Sequence, residues 1–379
     1  NISNDIDGEG EKSFQRILDK TLKSTNPNLH DVRGVAFRGG DGEFIYAPAG
    51  EADSLALDEI PIIHPDAPPF ANIFWQKRHY INIARGICPE KCSYCLGNNK
   101  YLNSRPYQTL KIDKIIEQIH VYQESGFQDL FLGENHFLNM SFMTDLIDNI
   151  VKEKFDMYFQ LETHPVIFEH RDLLDKMIEA KFLRFTMGCE SGSDSVLTRM
   201  GRNADSKRIL NSVKRIASRG AIVLTSWISN LPGETESEFQ ETQEIMHKVV
   251  KAGGFIFWIE NLHVFPGTQL YDDPENWNIE ILLSNLEDWI RWSPLSKQYV
   301  SFEDASKTPL RYLTHLNSST SPGKMIERFY SNRKLALSLI PEMKFNLENK
   351  FGDLPSEIFE AEMHTLDWYQ SKGWKLWLF

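Results

Sequence analysis

The sequence predicts an α/β chain whose centre is a partial barrel of six strand–helix units. Two observations carry this. From Tyr80 onward, short apolar runs alternate with amphipathic stretches, the pattern of parallel strands joined by crossover helices. Each apolar run then ends in polar or glycine-rich residues, and barrels of this kind carry their functional groups at the C-terminal ends of strands. Six units fall short of a closed eight-stranded barrel.

Each element has its own signal. The first strand lies near Tyr80 to Ile83, and Ile112, Ile115, Ile116, Ile119 and Tyr122 follow at helical spacing. The second strand is Asp129 to Leu132. Its helix repeats Met143, Leu146, Ile147 and Ile150 behind an expected cap at Ser141. Strand three covers about Met157 to Leu161, and Leu173, Leu174, Met177 and Ile178 mark the helix after it. Strand four is Phe182 to Met187. Ile209, Leu210, Val213 and Ile216 mark the fourth long helix, which Gly220 ends. Strand five is Ile222 to Ile228, followed by a helix from about Glu236 to Lys251. Strand six runs from Phe255 to Leu262.

Cys88-Pro-Glu-Lys-Cys92-Ser-Tyr-Cys95 follows the first strand. Three thiols so close together read as a metal site rather than a disulfide framework. Structural zinc wants four protein ligands, so a zinc knot needs His79 or a distant residue as its fourth. A four-iron–four-sulfur (4Fe-4S) cube on three cysteines keeps one iron open. The remaining cysteine, Cys189, sits in an apolar strand and reads as a buried thiol. Four cysteines in all are too few for a second cluster held only by cysteine.

The cysteine spacing, with aromatic Tyr94 before the last thiol, resembles the radical S-adenosylmethionine (SAM) superfamily. Gly188-Cys-Glu-Ser-Gly-Ser-Asp-Ser-Val-Leu-Thr-Arg-Met-Gly-Arg202 and Leu231-Pro-Gly-Glu-Thr235 resemble its strand-four and strand-five segments. Both look closest to the branch that carries a cobalamin-binding domain and includes methyltransferases and the anaerobic porphyrin cyclase. The resemblance covers about Ile6 to Thr268. It implies that Cys88, Cys92 and Cys95 hold a 4Fe-4S cluster, and that S-adenosylmethionine is cleaved reductively to a 5′-deoxyadenosyl radical. That radical would take a hydrogen from a carbon centre of the substrate. Gly133 and Glu134 stand at the glycine/acid motif for the ammonium group. Glu162, Glu190 and Ser191 are expected at hydroxyl and amino contacts, Arg202 at the carboxylate, and Gly233 beside the adenine. His136 and His164 are candidates for substrate-side acid or base, and equally for satisfied rim histidines.

Residues 1–79 resemble the tail of a cobalamin-binding domain and its connector, with a helix through Phe14, Ile17 and Leu18 and a hairpin from Val35 to Ile45. Cobalamin and methyl transfer are therefore expected of a longer parent. The chain has no Asp-x-His-x-x-Gly motif and too little sequence before the barrel for a nucleotide-type domain. A cobalamin-free cyclase, epimerase or lyase is the alternative, and a non-catalytic metal-stabilised barrel is the alternative of another class. Residues 80–272 form the barrel. Residues 273–379, rich in tryptophan, are expected to be a helical cap that closes the barrel mouth and shapes the substrate pocket, with Leu282, Leu283, Leu286 and Trp289 on one helix and Met325, Ile326 and Phe329 on another.

The chain has 379 residues, 41% of them hydrophobic, and a formal net charge of −12. That charge disfavours a broad nucleic-acid surface, which needs clustered Lys and Arg. The basic stretch Arg199 to Arg219 reads as a solvated helix face. A small molecule or a peptide is the expected substrate, and flavodoxin or ferredoxin the expected electron donor. No run is long enough to cross a bilayer, and Asn1 to Lys12 lacks the form of a signal peptide. An oxygen-sensitive thiolate cluster then makes the cytoplasm the expected location.

Overall fold

A computed structural model describes residues 5–6, 10–24, 27–39, 42–48, 55–62, 78–98, 107–133, 139–285, 288–289, 302–307, 310 and 313–372. At its centre is a six-stranded sheet of Arg78–Asn82 (β1), Asp129–Gly133 (β2), Tyr158–Thr163 (β3), Phe182–Glu190 (β4), Ile222–Ser229 (β5) and Phe255–Asn261 (β6). The strands lie in chain order and every neighbouring pair is parallel. Sequential parallel strands with crossovers of one hand curl into a partial barrel. Strand four runs three residues beyond its expected end, to Glu190, and carries the chain into the mouth.

Five helices cover the outer face: Ile112–Glu124 (α1), Met140–Glu153 (α2), Arg171–Glu179 (α3), Ser206–Ala217 (α4) and Glu236–Lys251 (α5). Their apolar stripes are the ones the spacing predicts. Ile115 and Ile119 of α1, Leu146 and Ile147 of α2, and Val213 and Ile216 of α4 are fully buried. Each such side chain contributes about 1.5–3 kcal/mol on leaving water. Helix α2 starts earlier than expected. Asn139, not Ser141, is its cap, and its side-chain oxygen accepts the Phe142 N–H at 3.1 Å. Helix α5 opens on a capping box between Thr235 and Glu238.

Strand alternation leaves an inner face that is partly polar. Phe159, Leu161, Phe185, Met187 and Trp227 pack outward under the helices. Gln160, Glu162, Arg184, Thr186 and Gly188 occupy the alternate positions, as do Ser226, Trp258 and Glu260 at matching register.

The C-terminal part is helical over Pro322–Ser338 (α6), Ile340–Lys350 (α7) and Ser356–Lys372 (α8). Ahead of these helices stands an antiparallel ribbon, Ile279–Ile281 with His315–Asn317. The expected helix through Leu282 is corrected at that residue, because Leu282 continues the ribbon's register, its N–H bonding Thr314 O at 2.9 Å. Leu286, Trp292, Trp374 and Trp377 lie outside the described residues. Asn317 donates to Asn230 O at 3.3 Å, and the Val264 N–H donates to Thr314 Oγ1 at 2.9 Å. The ribbon therefore stands at the C-terminal ends of β5 and β6. Helix α8 meets the opposite end, where Glu362 lies 2.7 Å from Arg184. The expectation that the C-terminal helices close the mouth is thus corrected for α8, which closes the bottom.

Residues before β1 form a separate small unit. Asp5–Ile6, Val35–Arg38 and Phe44–Ala47 make an antiparallel sheet against the helix Glu11–Thr21. Leu29, Val32, Val35 and Phe37 are its own core. Glu11 ties it to Arg85, just past β1, at 2.6 Å.

Candidate active site

Cysteine residues 88, 92 and 95 sit on one tight loop directly after β1. The Cys88 N–H bonds Gly97 O at 2.9 Å, and the Cys95 N–H bonds Cys92 O at 3.1 Å. Backbone N–H groups already point at two sulfurs, from Glu90 to Cys88 and from Gly97 to Cys95, both at 3.3 Å. Such donors stabilise thiolates. Burial still pushes the Cys88 thiol up to about 12 and raises Cys92 and Cys95. Three thiols that resist ionisation, two of them buried and Cys95 half-buried, need a positive centre to hold them as thiolates, as a bound metal does. Among the described residues, no three His, Cys, Asp or Glu side chains group tightly enough for a single metal ion. The fourth thiol, Cys189, is fully buried on the helix-facing side of β4.

The segment after β4 folds back onto this loop. Gly201 has φ +70°, and a Cβ there would sit 2.6 Å from Lys91 O. The glycine lets Met200 accept the Ser93 N–H at 3.0 Å, which locks the two segments together. Arg202 follows immediately. Its Nη2 donates to Gly188 O at 2.6 Å and its Nη1 lies 4.0 Å from Cys92 Sγ. Its Nε is buried with no hydrogen-bond partner. Burial alone would lower the Arg202 pKa, but Tyr94, Glu190 and Cys92 together raise it, so the guanidinium stays charged.

Glu190 has φ +66°, a left-handed conformation that costs roughly 1–2 kcal/mol in a residue with a Cβ. The turn swings its carboxyl back beneath Gly188, where a Cβ would meet Glu190 Oε1 at 2.5 Å and Arg202 Nη2 at 3.1 Å. Only glycine at 188 leaves room for both. Glu162 of β3 shares this electrostatic group. Burial raises the pKa of both carboxyls; Arg202 pulls each back, and Glu162 adds to the rise at Glu190. Beside the thiol loop, Arg202, Glu190 and Glu162 thus combine a cation, two reluctant carboxylates and an unused N–H.

Other expected residues are distributed differently. Gly133 ends β2, and the Tyr80 ring lies across its face. Glu134 and His136 lie outside the described residues. Ser191 is not brought into the group. Its hydroxyl is fully buried, 3.0 Å from Thr242 Oγ1 on α5, and accepts the Ser193 N–H at 3.1 Å. Gly233 has φ +70°, and a Cβ there would sit 3.3 Å from Arg199 Nε, so the room it leaves is taken by the Arg199 side chain. His164 is buried behind the mouth. Its Nδ1 accepts the Val166 N–H at 3.2 Å, so the ring proton is on Nε2, which has no partner. Burial, helped by Arg202 and Arg208, pushes it down to about 3. A neutral capping histidine accounts for its geometry. Gly188 and Gly201 do more than sequence reasoning assigned them, and their place within the strand-four motif was the available signal.

The basic stretch from Arg199 is not one solvated face. Arg199 pairs with Glu238 at 3.2 Å, Arg208 with Asp205 at 3.6 Å, and Arg219 with Asp175. Arg202 turns into the mouth.

Residues 83–246 match the Radical SAM superfamily model. The chain is 29% identical over 211 residues to a tRNA-2-methylthio-N(6)-dimethylallyladenosine synthase of Finegoldia magna, covering 51% of this chain and 43% of that protein. It is 30% identical to the threonylcarbamoyladenosine tRNA methylthiotransferase MtaB of Thermotoga maritima, covering 64% of this chain and 61% of that one. The chain thus spans about half the length of these curated relatives. Among solved structures, the fold resembles the radical S-adenosylmethionine methyltransferase TsrM of Kitasatospora setae with cobalamin and a [4Fe-4S] cluster bound. The TM-score is 0.65 at 12% identity, over 97% of this chain and 78% of that one. The cobalamin-dependent radical enzyme OxsB gives 0.56 at 13% identity, over 98% and 68%.

Proposed function

We propose, from the premise that this chain is a radical SAM enzyme, that Cys88, Cys92 and Cys95 hold one 4Fe-4S cluster and that Arg202, Glu190 and Glu162 bind S-adenosylmethionine beside it. The observation that carries this is Arg202: a buried, charged guanidinium with an unused Nε, 4.0 Å from Cys92 Sγ and backed by two carboxyls. A carboxylate suits that unused donor. Carboxylates at 162 and 190 suit an ammonium group and ribose hydroxyls, so the donor set fits the cofactor. Bound together, the reduced cluster and S-adenosylmethionine supply homolysis of a carbon–sulfur bond and hence hydrogen-atom abstraction. The chain's own residues hold the thiolates, fix the amino-acid end of the cofactor and exclude water. Gly133 and Glu134 would complete the ammonium site. Ser191 supports the turn rather than the cofactor.

The substrate in this reading is a small metabolite or a peptide, and the reaction functionalises one of its carbon centres. The dispersal of Arg199, Arg208 and Arg219 into ion pairs supports this over a polyanion. Methylation with cobalamin leads for a longer parent protein, because the folds of TsrM and OxsB are similar across the whole chain. Radical cyclisation, epimerisation or fragmentation without cobalamin is the second reading. It is favoured by the antiparallel form of the small sheet before β1, which is not a nucleotide-type domain. Residues 1–79 are then a connector, 80–272 the catalytic barrel and 273–379 the substrate side. Flavodoxin or ferredoxin would deliver the electron, in the cytoplasm. Among the described residues, no helix is long and apolar enough to cross a membrane.

The test is anaerobic reconstitution. We expect ~4 iron per chain, and release of 5′-deoxyadenosine and methionine with a reductant. A chain that binds only zinc and leaves S-adenosylmethionine intact would sink the reading. Tight tRNA binding with a steep salt slope would overturn the substrate class, and a longer parent that retains no hydroxocobalamin would remove methylation.

A further inference from the structure

Helix α6 carries a charge that the barrel does not use. Arg333 is only 5% exposed, yet among the described residues it forms no ion pair, and its Nε and Nη2 have no hydrogen-bond partner there. Its guanidinium stacks 4.2 Å over the Phe329 ring and lies 6.0 Å from the Tyr330 ring centre. Those rings fix the plane of the fork but satisfy none of its N–H groups. The natural counter-ion is near and turned elsewhere. Glu260 lies on the inner face of β6, where its Oε1 accepts the Asn261 N–H at 3.2 Å and sits 3.3 Å from His263 Nε2. A buried cation without a partner is strongly unfavourable, and a fold keeps one where a ligand completes it. The Glu260 and His263 side chains are 19% and 15% exposed, so solvent reaches the edge of this region. It lies at the strand edge farthest in the sheet from the cysteine loop after β1.

We infer that Arg333 is a substrate-binding residue that receives a carboxylate at the β6 edge of the barrel. A guanidinium fork takes a planar carboxylate through two parallel hydrogen bonds, and the stacked rings hold it ready to do so. One arginine would then serve the cofactor and the other the molecule that the cofactor attacks. That the occupant is the substrate rests on the proposed function. The binding itself does not, because the test below needs no electron transfer. Loss of this subsite would leave cofactor cleavage intact, and failure of cleavage would leave this subsite intact.

Thermal unfolding of the anaerobically reconstituted protein, titrated with sodium benzoate, benzamide and inorganic phosphate, tests the inference. Benzoate should raise the midpoint saturably by ~2–4 °C, and benzamide and phosphate should not. Arg333→Met should abolish the response while leaving the ligand-free midpoint unchanged or higher, because it removes an unpaired buried charge. Should Arg333→Met fail to fold, Arg333→Lys decides. It keeps the charge but loses the fork, and the benzoate Kd should rise tenfold or more. Absence of any benzoate shift in the unaltered protein would overturn the inference. An equal shift in the Met variant, an unchanged Kd in the Lys variant, or a response to phosphate in place of benzoate would each do the same.

Discussion

The two ends of the barrel each set an arginine between two carboxylates, and they use it oppositely. At the bottom, Arg184 is buried, donates to Asp129 at 3.0 Å and lies 2.7 Å from Glu362. At the mouth, Arg202 donates to a backbone carbonyl and keeps Nε unused, and burial raises both nearby carboxyls above their ordinary range. The bottom cluster joins three distant segments through two short ion pairs, although Arg184 Nε and Nη2 make no well-aligned hydrogen bond. The mouth cluster is open, strained at Glu190 and set against the thiols. A cation paired at short range with two carboxylates holds a fold together, whereas one held by a backbone carbonyl beside the thiols is kept for a ligand.

Substitutions should separate the ends. The largest effect belongs to the thiols: Cys88→Ala, Cys92→Ala or Cys95→Ala should each abolish the iron–sulfur chromophore. A variant that keeps a full iron load would break the assignment. Next is Arg184→Gln at the bottom, which strands Asp129 and Glu362 and should cost ~3–5 kcal/mol in urea unfolding. Its affinity for S-adenosylmethionine should stay as in the unaltered protein. Arg202→Gln should show the reverse, with affinity weakened ~10–100-fold for one lost charged hydrogen bond and a much smaller loss of stability. Equal stability losses at 184 and 202 would erase the distinction.

Two smaller effects sharpen it. The pKa of His164 is depressed in the folded state, from 6.5 to about 3. Its contribution is therefore fully present above pH 6.5 and is lost as pH falls toward 3. Stability should decline through that window, and His164→Asn should flatten the decline; an unaltered slope would show that other groups carry it. Ser191→Ala should be mildest. It removes a buried hydroxyl pair at a cost of ~1 kcal/mol and should leave cofactor affinity within about twofold if Ser191 only supports the turn. A large affinity loss would return Ser191 to the cofactor.

The contrast between the ends was only half legible in the chain. Local patterns carried the strands, the outer helices and the thiol loop, because period and spacing are local properties. The mouth was legible where the strand-four motif is contiguous, from Gly188 to Arg202. Partners far along the chain were not. Ser191 looks like a free hydroxyl until Thr242, 51 residues on, takes it. The bottom cluster joins Asp129, Arg184 and Glu362 across three segments, and nothing in the spacing of any one signals it. The ribbon of Ile279–Ile281 with His315–Asn317 has strands of three residues, too short for alternation to show. Gly233 was read as room for adenine, and in the fold that room faces Arg199.

The most direct measurement is the electron paramagnetic resonance spectrum of the reduced cluster, with and without S-adenosylmethionine, in the unaltered protein, Arg202→Gln and Arg184→Gln. The account predicts a saturable shift of the signal in the unaltered protein and in Arg184→Gln at similar cofactor concentrations, and at least tenfold more cofactor for the same shift in Arg202→Gln. No shift in the unaltered protein, or the same cofactor requirement in the Arg202 variant, would contradict it.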